Sequence, residues 1–100
     1  MPDRFSDKQP YEEYYIEFDH TLDLEAATIA TAVVTAMVVV TGADVSTVII
    51  DAAKQLITDT SVMVWVRAGV SGTDYKITSR IVASDGSKYE LDGLMLVMEK

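Results

Sequence analysis

The sequence predicts an all-β fold, a sandwich of six or seven short strands. Val, Ile and Thr dominate its apolar segments, and β-branched residues prefer strands. Apolar and polar residues alternate with a period of two in several segments, which is typical of half-buried strands. Turn signals recur at about one per 8–12 residues, the spacing of a sandwich. Strands do not alternate with helical patterns, so a parallel α/β sheet is not expected.

Composition limits the possible functions. The chain has 100 residues, 49% hydrophobic and 24% charged, which is typical of one globular domain. It contains no Cys, which excludes disulfides, thiolate metal sites and a Cys nucleophile. Sixteen acidic residues stand against eight Lys and Arg, for a net charge of −8. Because phosphate contacts need clustered basic residues, we expect no nucleic-acid binding.

The first half of the chain contains three predicted strands. Residues 14–18 alternate, with Tyr14 and its period-two neighbours on one side. Residues 28–41 form a long β-branched run that ends at a glycine, and residues 45–50 form another short run. Residues 51–59 are ambiguous, since their apolar spacing also fits a short helical turn.

The second half predicts three more strands, at residues 61–67, 75–83 and 88–98. Asp85 and Gly86, between the last two, predict a tight hairpin with a type I′ turn. Gly93 lies inside the last strand and predicts a bulge there. Residues 94–98 are apolar on both faces. Such a strand is either buried on both sides or covered by a neighbouring subunit.

The sequence predicts neither a signal peptide nor a membrane span. Residues 1–15 are polar and lack an apolar core, so the chain is made and kept in a cytoplasm unless a leader has been removed. Residues 26–43 carry no charge, but they contain several Thr and no flanking Lys or Arg. At 18 residues the run is also shorter than the roughly 20 that a transmembrane helix needs. A strand is therefore expected here.

The N-terminal residues 1–13 are predicted to form a flexible arm, with residues 14–100 as the folded domain. The negative charge is concentrated nearby. Residues 9–53 hold eight acids and no Lys or Arg, whereas the remainder holds eight acids and eight Lys or Arg. This region is either a solvated acidic surface that favours solubility or a docking face for a basic partner.

The end of the arm and the first strand supply the candidate partner-binding residues. Aromatic residues beside an arm can anchor it on a neighbour, although packing on their own domain is the alternative. The candidates are Tyr11, Glu12, Glu13, Tyr14, Glu17 and Asp19.

Catalysis and metal binding have weak candidates. His20, the single histidine, has Asp19 and Asp23 nearby but no third strong ligand, and we expect it to be exposed and idle. Five Asp residues near predicted turns could hold Ca²⁺, yet no dense ligand loop is present. These are Asp44, Asp51, Asp59, Asp74 and Asp85. No nucleophile elbow or phosphate loop occurs. We expect no catalytic residue, no metal, no cofactor and no enzymatic activity.

The second half carries a distinctive order of motifs. An apolar strand, residues 60–67, leads into a loop with Gly69 and Gly72, then Gly72-Thr73-Asp74-Tyr75, a β-rich strand and the hairpin at Gly86. With this order the chain resembles small bacteriophage-encoded Ig-like structural proteins, described as fiber–tail adaptor or head–tail region proteins. Upstream, residues 22–31 resemble that family's entry into its first long strand, and Ala68-Gly69 stands where the family has a glycine pair.

The resemblance implies an Ig-like antiparallel β-sandwich of about seven strands. It also assigns structural roles. Trp65 is expected in the core between the sheets, and the Tyr75 hydroxyl is expected to bond back to the backbone as a tyrosine corner. The glycines permit backbone angles that other residues resist. The structural motif residues are Trp65, Gly69, Gly72, Thr73, Tyr75, Asp85 and Gly86.

The implied function is non-enzymatic. The chain is expected to be a virion protein that assembles with other virion proteins, as a homo-oligomer or bound to a ring, after synthesis in the host bacterial cytoplasm. The alternative is an Ig-like adhesion or ligand-binding module, either calcium-dependent or independent of calcium.

Overall fold

The computed structural model describes residues 3–5 and 7–99 of the chain. Five strands have more than two residues, and two strands have two residues each. In chain order the strands are β1 (Asp3–Arg4), β2 (Tyr14–Asp19), β3 (Ile29–Val38), β4 (Leu56–Ile57), β5 (Ser61–Val66), β6 (Thr73–Ala83) and β7 (Lys88–Val97). Short helical turns lie at α1 (Thr21–Leu24), α2 (Ser46–Ile49) and the 3₁₀ turn Ala52–Lys54. None of these helices is long and apolar enough to cross a bilayer.

The strands form two sheets, with the orders β1-β7-β6-β3 and β2-β5-β4. Neighbouring strands are antiparallel, except that β1 runs parallel to β7. The prediction of an all-β, sandwich-like fold is therefore confirmed. The count of about seven strands is not, because β1 and β4 are only two-residue pairs at sheet edges.

The core lies between the sheets and uses alternate residues of each strand. On β5 the inward residues are Val62, Val64 and Val66, all fully buried. The facing sheet contributes Ile77, Ile81, Met95 and Val97, among others. This is the period-two burial that the alternating sequence predicts.

The predicted strand at residues 45–50 is wrong, since Ser46–Ile49 forms a helical turn. The Asp44 carboxylate accepts hydrogen bonds from the Ser46 amide and hydroxyl, at 2.9 and 2.6 Å. Ser46 Oγ in turn accepts a bond from the Ala36 amide at 2.9 Å. These local bonds outweigh the strand preference of the β-branched residues. The ambiguous segment 51–59 contains both the 3₁₀ turn and β4.

Two turn details also differ from the predictions. The hairpin between β6 and β7 is present, but a type I′ turn needs two positive φ angles. Gly86 has φ +90° while Asp85 does not, and the Gly86 amide donates to Ala83 O at 2.9 Å. The bulge at Gly93 is absent, because β6 and β7 pair in continuous register. A Cβ on Gly93 would instead overlap the Phe5 ring.

The described part of the predicted arm lies along β7. The Phe5 amide donates to Leu94 O and the Lys8 amide to Leu96 O, both at 2.9 Å. The Phe5 ring packs edge-on against Phe18, with centroids 5.4 Å apart. The chain's own N-terminal segment thus covers this edge of the sheet. The division at residue 13 stays a prediction; Met1, Pro2, Ser6 and Lys100 lie outside the described residues.

Candidate partner-binding surface

Four of the six predicted partner-binding residues lie together. Tyr11, Glu12, Glu13 and Tyr14 line a groove of about 670 Å³. The rest of its lining is Pro10, Val48, Arg67 and Ala68. The groove therefore lies where the segment before β2 meets the loop after β5.

Lys8 holds this segment in place. Its side chain is fully buried, and its Nζ donates to Gln9 O at 2.8 Å, Pro10 O at 3.3 Å and Ala68 O at 2.6 Å. Burial lowers the pKa of Lys8, while the nearby Glu12 and Glu13 carboxylates oppose that change. A buried ammonium is tolerated only when its donors are satisfied. Lys8 thus fixes Pro10 and the residues after it against the β5–β6 loop.

The two predicted tyrosines differ in exposure. Tyr11 is 96% exposed, whereas Tyr14 packs against the core. Tyr14 Oη is buried without a hydrogen-bond partner among the described residues, and burial raises the pKa of this phenol, with Glu12 and Asp7 adding to the effect. Tyr11 is therefore available to a partner, and Tyr14 has mainly a packing role.

Trp65 is not in the core, and that prediction is wrong. On β5 the small Val residues point inward, which places Trp65 half-buried on the outer face. Tyr15 packs edge-on against it with ring centroids 4.9 Å apart. Lys54 Nζ lies 4.1 Å from the ring centroid, and Trp65 Nε1 donates to Glu13 Oε1 at 3.1 Å. The indole is thus fixed by contacts with Tyr15, Lys54 and Glu13, and it lies on the outer face of the sheet.

The remaining candidates lie along the exposed side of β2. Glu17 is exposed in the same alternating row as Tyr15. Asp19 ends the strand, and its carboxylate accepts bonds from the Thr21 amide at 2.9 Å and hydroxyl at 2.5 Å. These bonds lower the pKa of Asp19. Asp19 therefore stabilises the turn after β2, at the far end of the row from the groove.

We define the aromatic–acidic surface as Tyr11, Glu13, Tyr15, Glu17 and Trp65. Aromatic residues that are rigidly held and partly exposed are typical of binding hot spots. Sequence reasoning missed the exposure of Trp65 and the role of Tyr15. A signal was present, because Glu17 shares its row with Tyr15 and Arg67 shares its row with Trp65. A charged residue in an alternating row marks the face that solvent reaches.

Tyr75, at the start of β6, has the geometry of a tyrosine corner. Its ring is buried, and its hydroxyl accepts a hydrogen bond from the Val70 amide at 2.9 Å. Gly69 and Gly72, in the loop before it, have φ of +103° and +83°. The Thr73 amide closes the loop by donating to Val70 O at 3.1 Å.

The other predicted motif residues lie in the β6–β7 hairpin. Asp85 Oδ1 accepts a bond from the Ser87 amide at 3.0 Å, and Gly86 supplies the positive φ of the turn. These residues shape the turn and are not part of the aromatic–acidic surface.

His20 is not exposed; it is completely buried. Its Nε2 lies 3.0 Å from Ser79 Oγ on the opposite sheet, while Nδ1 is 3.8 Å from Asp23 Oδ2 and has no hydrogen-bond partner among the described residues. Burial lowers the pKa of His20, although Asp23 and Asp19 act in the other direction. The prediction of an exposed histidine was wrong because His20 continues the buried alternating row of β2 after Ile16 and Phe18.

Across residues 3–5 and 7–99, no group of three or more His, Asp and Glu side chains is arranged to hold a metal ion. Three of the Asp residues considered for calcium accept bonds from amides two residues ahead, namely Asp44, Asp51 and Asp85. Such bonds shape a loop without a metal. The calcium-dependent module stays a prediction.

Comparison with known proteins gives the context of this surface. No curated protein matches the chain, and no solved structure matches it. One family does: the podophage GP4 fiber-tail adaptor protein gp77, whose family model matches residues 8–94. The match begins at the buried Lys8 and includes the groove, the strands β2 to β6 and most of β7. It agrees with the resemblance seen in the sequence and gives the chain a structural role in the phage tail, where an adaptor binds other virion proteins. The chain belongs to the podophage fiber-tail adaptor family.

Proposed function

We propose that the chain acts without catalysis, by joining virion proteins through the aromatic–acidic surface. The observation that carries this proposal is the outward-facing Trp65. A half-buried indole fixed by Tyr15, Lys54 and Glu13 is already ordered, so less side-chain entropy is lost when a partner covers it.

Charge favours a basic partner. Residues 9–53 contain eight acids and no Lys or Arg, and Glu13 and Glu17 belong to that region. Opposite charges across an interface accelerate encounter and fix orientation. A partner surface with Lys or Arg around an apolar pocket for Trp65 therefore suits this chain best.

We also propose that the sandwich has the topology of an Ig domain. The six strands β2 to β7 pair in the orders β2-β5-β4 and β3-β6-β7. If they are labelled B to G, these orders are B-E-D and C-F-G, as in an Ig domain. The tyrosine-corner geometry of Tyr75 at the start of β6 occurs at the equivalent position of strand F.

We also propose that several copies act together, on a ring at the tail, after assembly in the host bacterial cytoplasm. Repeated weak contacts in a ring add up to a stable attachment. A domain of 100 residues with a small recognition surface suits such repetition.

An add-back experiment tests the proposal. Phage particles made without this chain receive purified wild-type or variant protein, and attached fibres are counted by negative-stain electron microscopy. We expect Trp65→Ala and Glu17→Lys to reduce fibre attachment. The reduction caused by Glu17→Lys should be larger at low salt than at high salt, because salt screens contacts between charges.

The matched control is Asp74→Lys. It makes the same charge change at an exposed position on β6, in the other sheet. We expect it to attach fibres as wild type does. Equal attachment by folded Trp65→Ala, Glu17→Lys and wild-type proteins would contradict the proposed surface, and fibres attached without any added chain would contradict the adaptor role.

A further inference from the structure

The strand β3 is an edge strand, and the middle of its edge is uncovered. Among the described residues it pairs only with β6 within its sheet. On the other side both ends are covered: the Ile29 amide donates to Asp59 O at 2.9 Å, the Val45 amide to Ala36 O at 2.9 Å and the Val38 amide to Ala43 O at 3.0 Å. Backbone groups of alternate residues in a strand point the same way. The amides and carbonyls of Ala32 and Val34 therefore point to this side as well, between the two covered ends.

This edge lacks the features that normally protect one. Soluble proteins place Lys, Pro or bulges on exposed edges to prevent pairing with other chains. Residues 26–43 contain no charged residue and no Pro, and the one register irregularity of β3 lies at its start, between Ile29 and Thr31. Val33, on the outer face, is 62% exposed. The backbone groups in the open part of β3 are thus free to pair with another strand.

A groove lies beside the same edge. It has a volume of about 320 Å³, and its lining includes Val34, Ile50, Ala52 and Ala53 together with Asp51 and Arg67, which pair with each other at 3.5 Å. A strand added to β3 would point every second side chain toward the core side of the sheet. The small alanines leave room for one such apolar side chain next to Val34.

Charge decides what kind of strand fits. Exposed Glu25 precedes the charge-free segment and exposed Asp44 follows it. In an antiparallel pair of two copies, the Glu25 end of one strand would meet the Asp44 end of the other, and in a parallel pair like ends would meet. Either arrangement places acid against acid, with no Lys or Arg in residues 9–53 to offset it. A second copy is therefore disfavoured, and basic ends are favoured.

We propose that the open edge of β3 at Ala32 and Val34 receives an extended strand from another virion protein, apolar at its centre and basic at its ends. This is recognition by strand addition, in which main-chain hydrogen bonds supply affinity and alternate side chains supply specificity. It rests on the proposed function for the source of the strand, but it uses a different surface.

Nuclear magnetic resonance of the full chain with a synthetic peptide tests it. The probe alternates Val and Thr between two pairs of Lys, and a control peptide replaces the four Lys by Glu. We expect the Lys peptide to shift the Ala32 and Val34 amide signals and slow their hydrogen exchange. The Glu peptide is expected to bind about tenfold more weakly or worse.

Variants separate the edge from the other surface. Ala32→Pro removes an outward donor, and proline is tolerated on edge strands, so this variant is expected to fold and to lose binding. Ala32→Gly weakens the strand but keeps the donor, and should bind. Val33→Lys adds a repelling charge on the exposed side and should weaken binding even if Ala32→Pro does not fold. Trp65→Ala should bind the peptide as wild type does.

Three results would overturn the proposal: no effect of the Lys peptide at millimolar concentration, effects confined to the Trp65 surface, or amides at Ala32 and Val34 already protected in a dimer of the free chain. None of these results changes the outcome of the add-back test, in which Trp65→Ala and Glu17→Lys test the adaptor function separately.

Discussion

Ala68 has a strained backbone conformation that affects the stability of the fold. Its φ is +54°, a left-handed conformation that costs an L residue roughly 1–2 kcal/mol. The position stays in this conformation because Ala68 O accepts the Lys8 ammonium at 2.6 Å and Gly69 follows with φ +103°.

We predict that Ala68→Gly raises the free energy of unfolding by about 0.5–1 kcal/mol. The strain energy removed from the folded state exceeds the free energy by which glycine's extra conformational entropy stabilises the unfolded chain. Urea unfolding measures it. Ala32→Gly, at a regularly paired strand residue without positive φ, is the control and should lower stability. A loss of stability in Ala68→Gly would contradict the strained geometry.

His20 predicts a specific pH dependence. Its folded pKa lies below the ordinary value of 6.5 because the ring is buried. Below about pH 6.5 the unfolded chain binds a proton that the folded chain excludes, so the free energy of unfolding falls as pH falls toward the folded pKa. The carboxylates with lowered pKa, such as Asp44 and Asp85, lose their contribution only below about pH 4.

Chemical denaturation at pH 7.5 and pH 5 measures this effect. The wild type should be less stable at pH 5. His20 is the only histidine, so His20→Gln, although less stable throughout, should show a much smaller difference between the two pH values. Equal differences in both proteins would mean that the ring is accessible to protonation in the folded state.

Trp65 gives a third prediction at this scale. A core tryptophan changed to Ala costs about 3–5 kcal/mol. On the outer face the loss is limited to partial burial, the Tyr15 ring contact and the Lys54 cation, so we expect about 1–2 kcal/mol for Trp65→Ala. Thermal and urea unfolding measure it. A cost within the core range would place the indole between the sheets after all.

Among the elements, β1 and the segment after it show how a polar N-terminus becomes part of a sheet. Phe5 packs over Gly93 and against Phe18, while Lys8 continues the pairing along β7. The sequence could not reveal this, because the segment has no alternation, and its pairing depends on a partner strand far along the chain.

We predict that Phe5→Ala destabilises the fold by about 2 kcal/mol, less than a fully buried Phe. Gly93→Ala should also destabilise it, since the new methyl group overlaps the Phe5 ring. In the double variant the Gly93→Ala cost should largely disappear, because the ring is gone. Additive costs in urea unfolding would contradict the contact.

The strands with clear alternation were predictable, and their physical reason is simple. Residues such as Val62, Val64 and Val66 enter one buried face at a period of two. Alternation alone does not state which face is inward; at Trp65 the charged Arg67 in the same row marks the outer face, and the prediction of a core tryptophan overlooked it. Alternation also carries no information on side-chain-to-backbone bonds, so two such bonds at α2 were missed: the Ser46 amide donates to Asp44, and the Ala36 amide donates to Ser46 Oγ.

At the scale of the whole molecule, charge is unevenly distributed over a small sandwich. The net −8 arises entirely in residues 9–53, a range that includes the aromatic–acidic surface except Trp65. The sequence already indicated an acidic docking face, but it placed the aromatic residues of that face either on the arm or in the core. Only the antiparallel pairing of β2 with β5 places Tyr15 directly beside Trp65.

The most direct test of the account is an electron cryo-microscopy structure of the intact tail from the phage that encodes this chain. We predict density for the sandwich between tail and fibre, with Trp65, Tyr15 and Tyr11 covered by a partner surface rich in Lys and Arg. A sandwich whose aromatic–acidic surface faces solvent in the assembled tail would contradict the central claim.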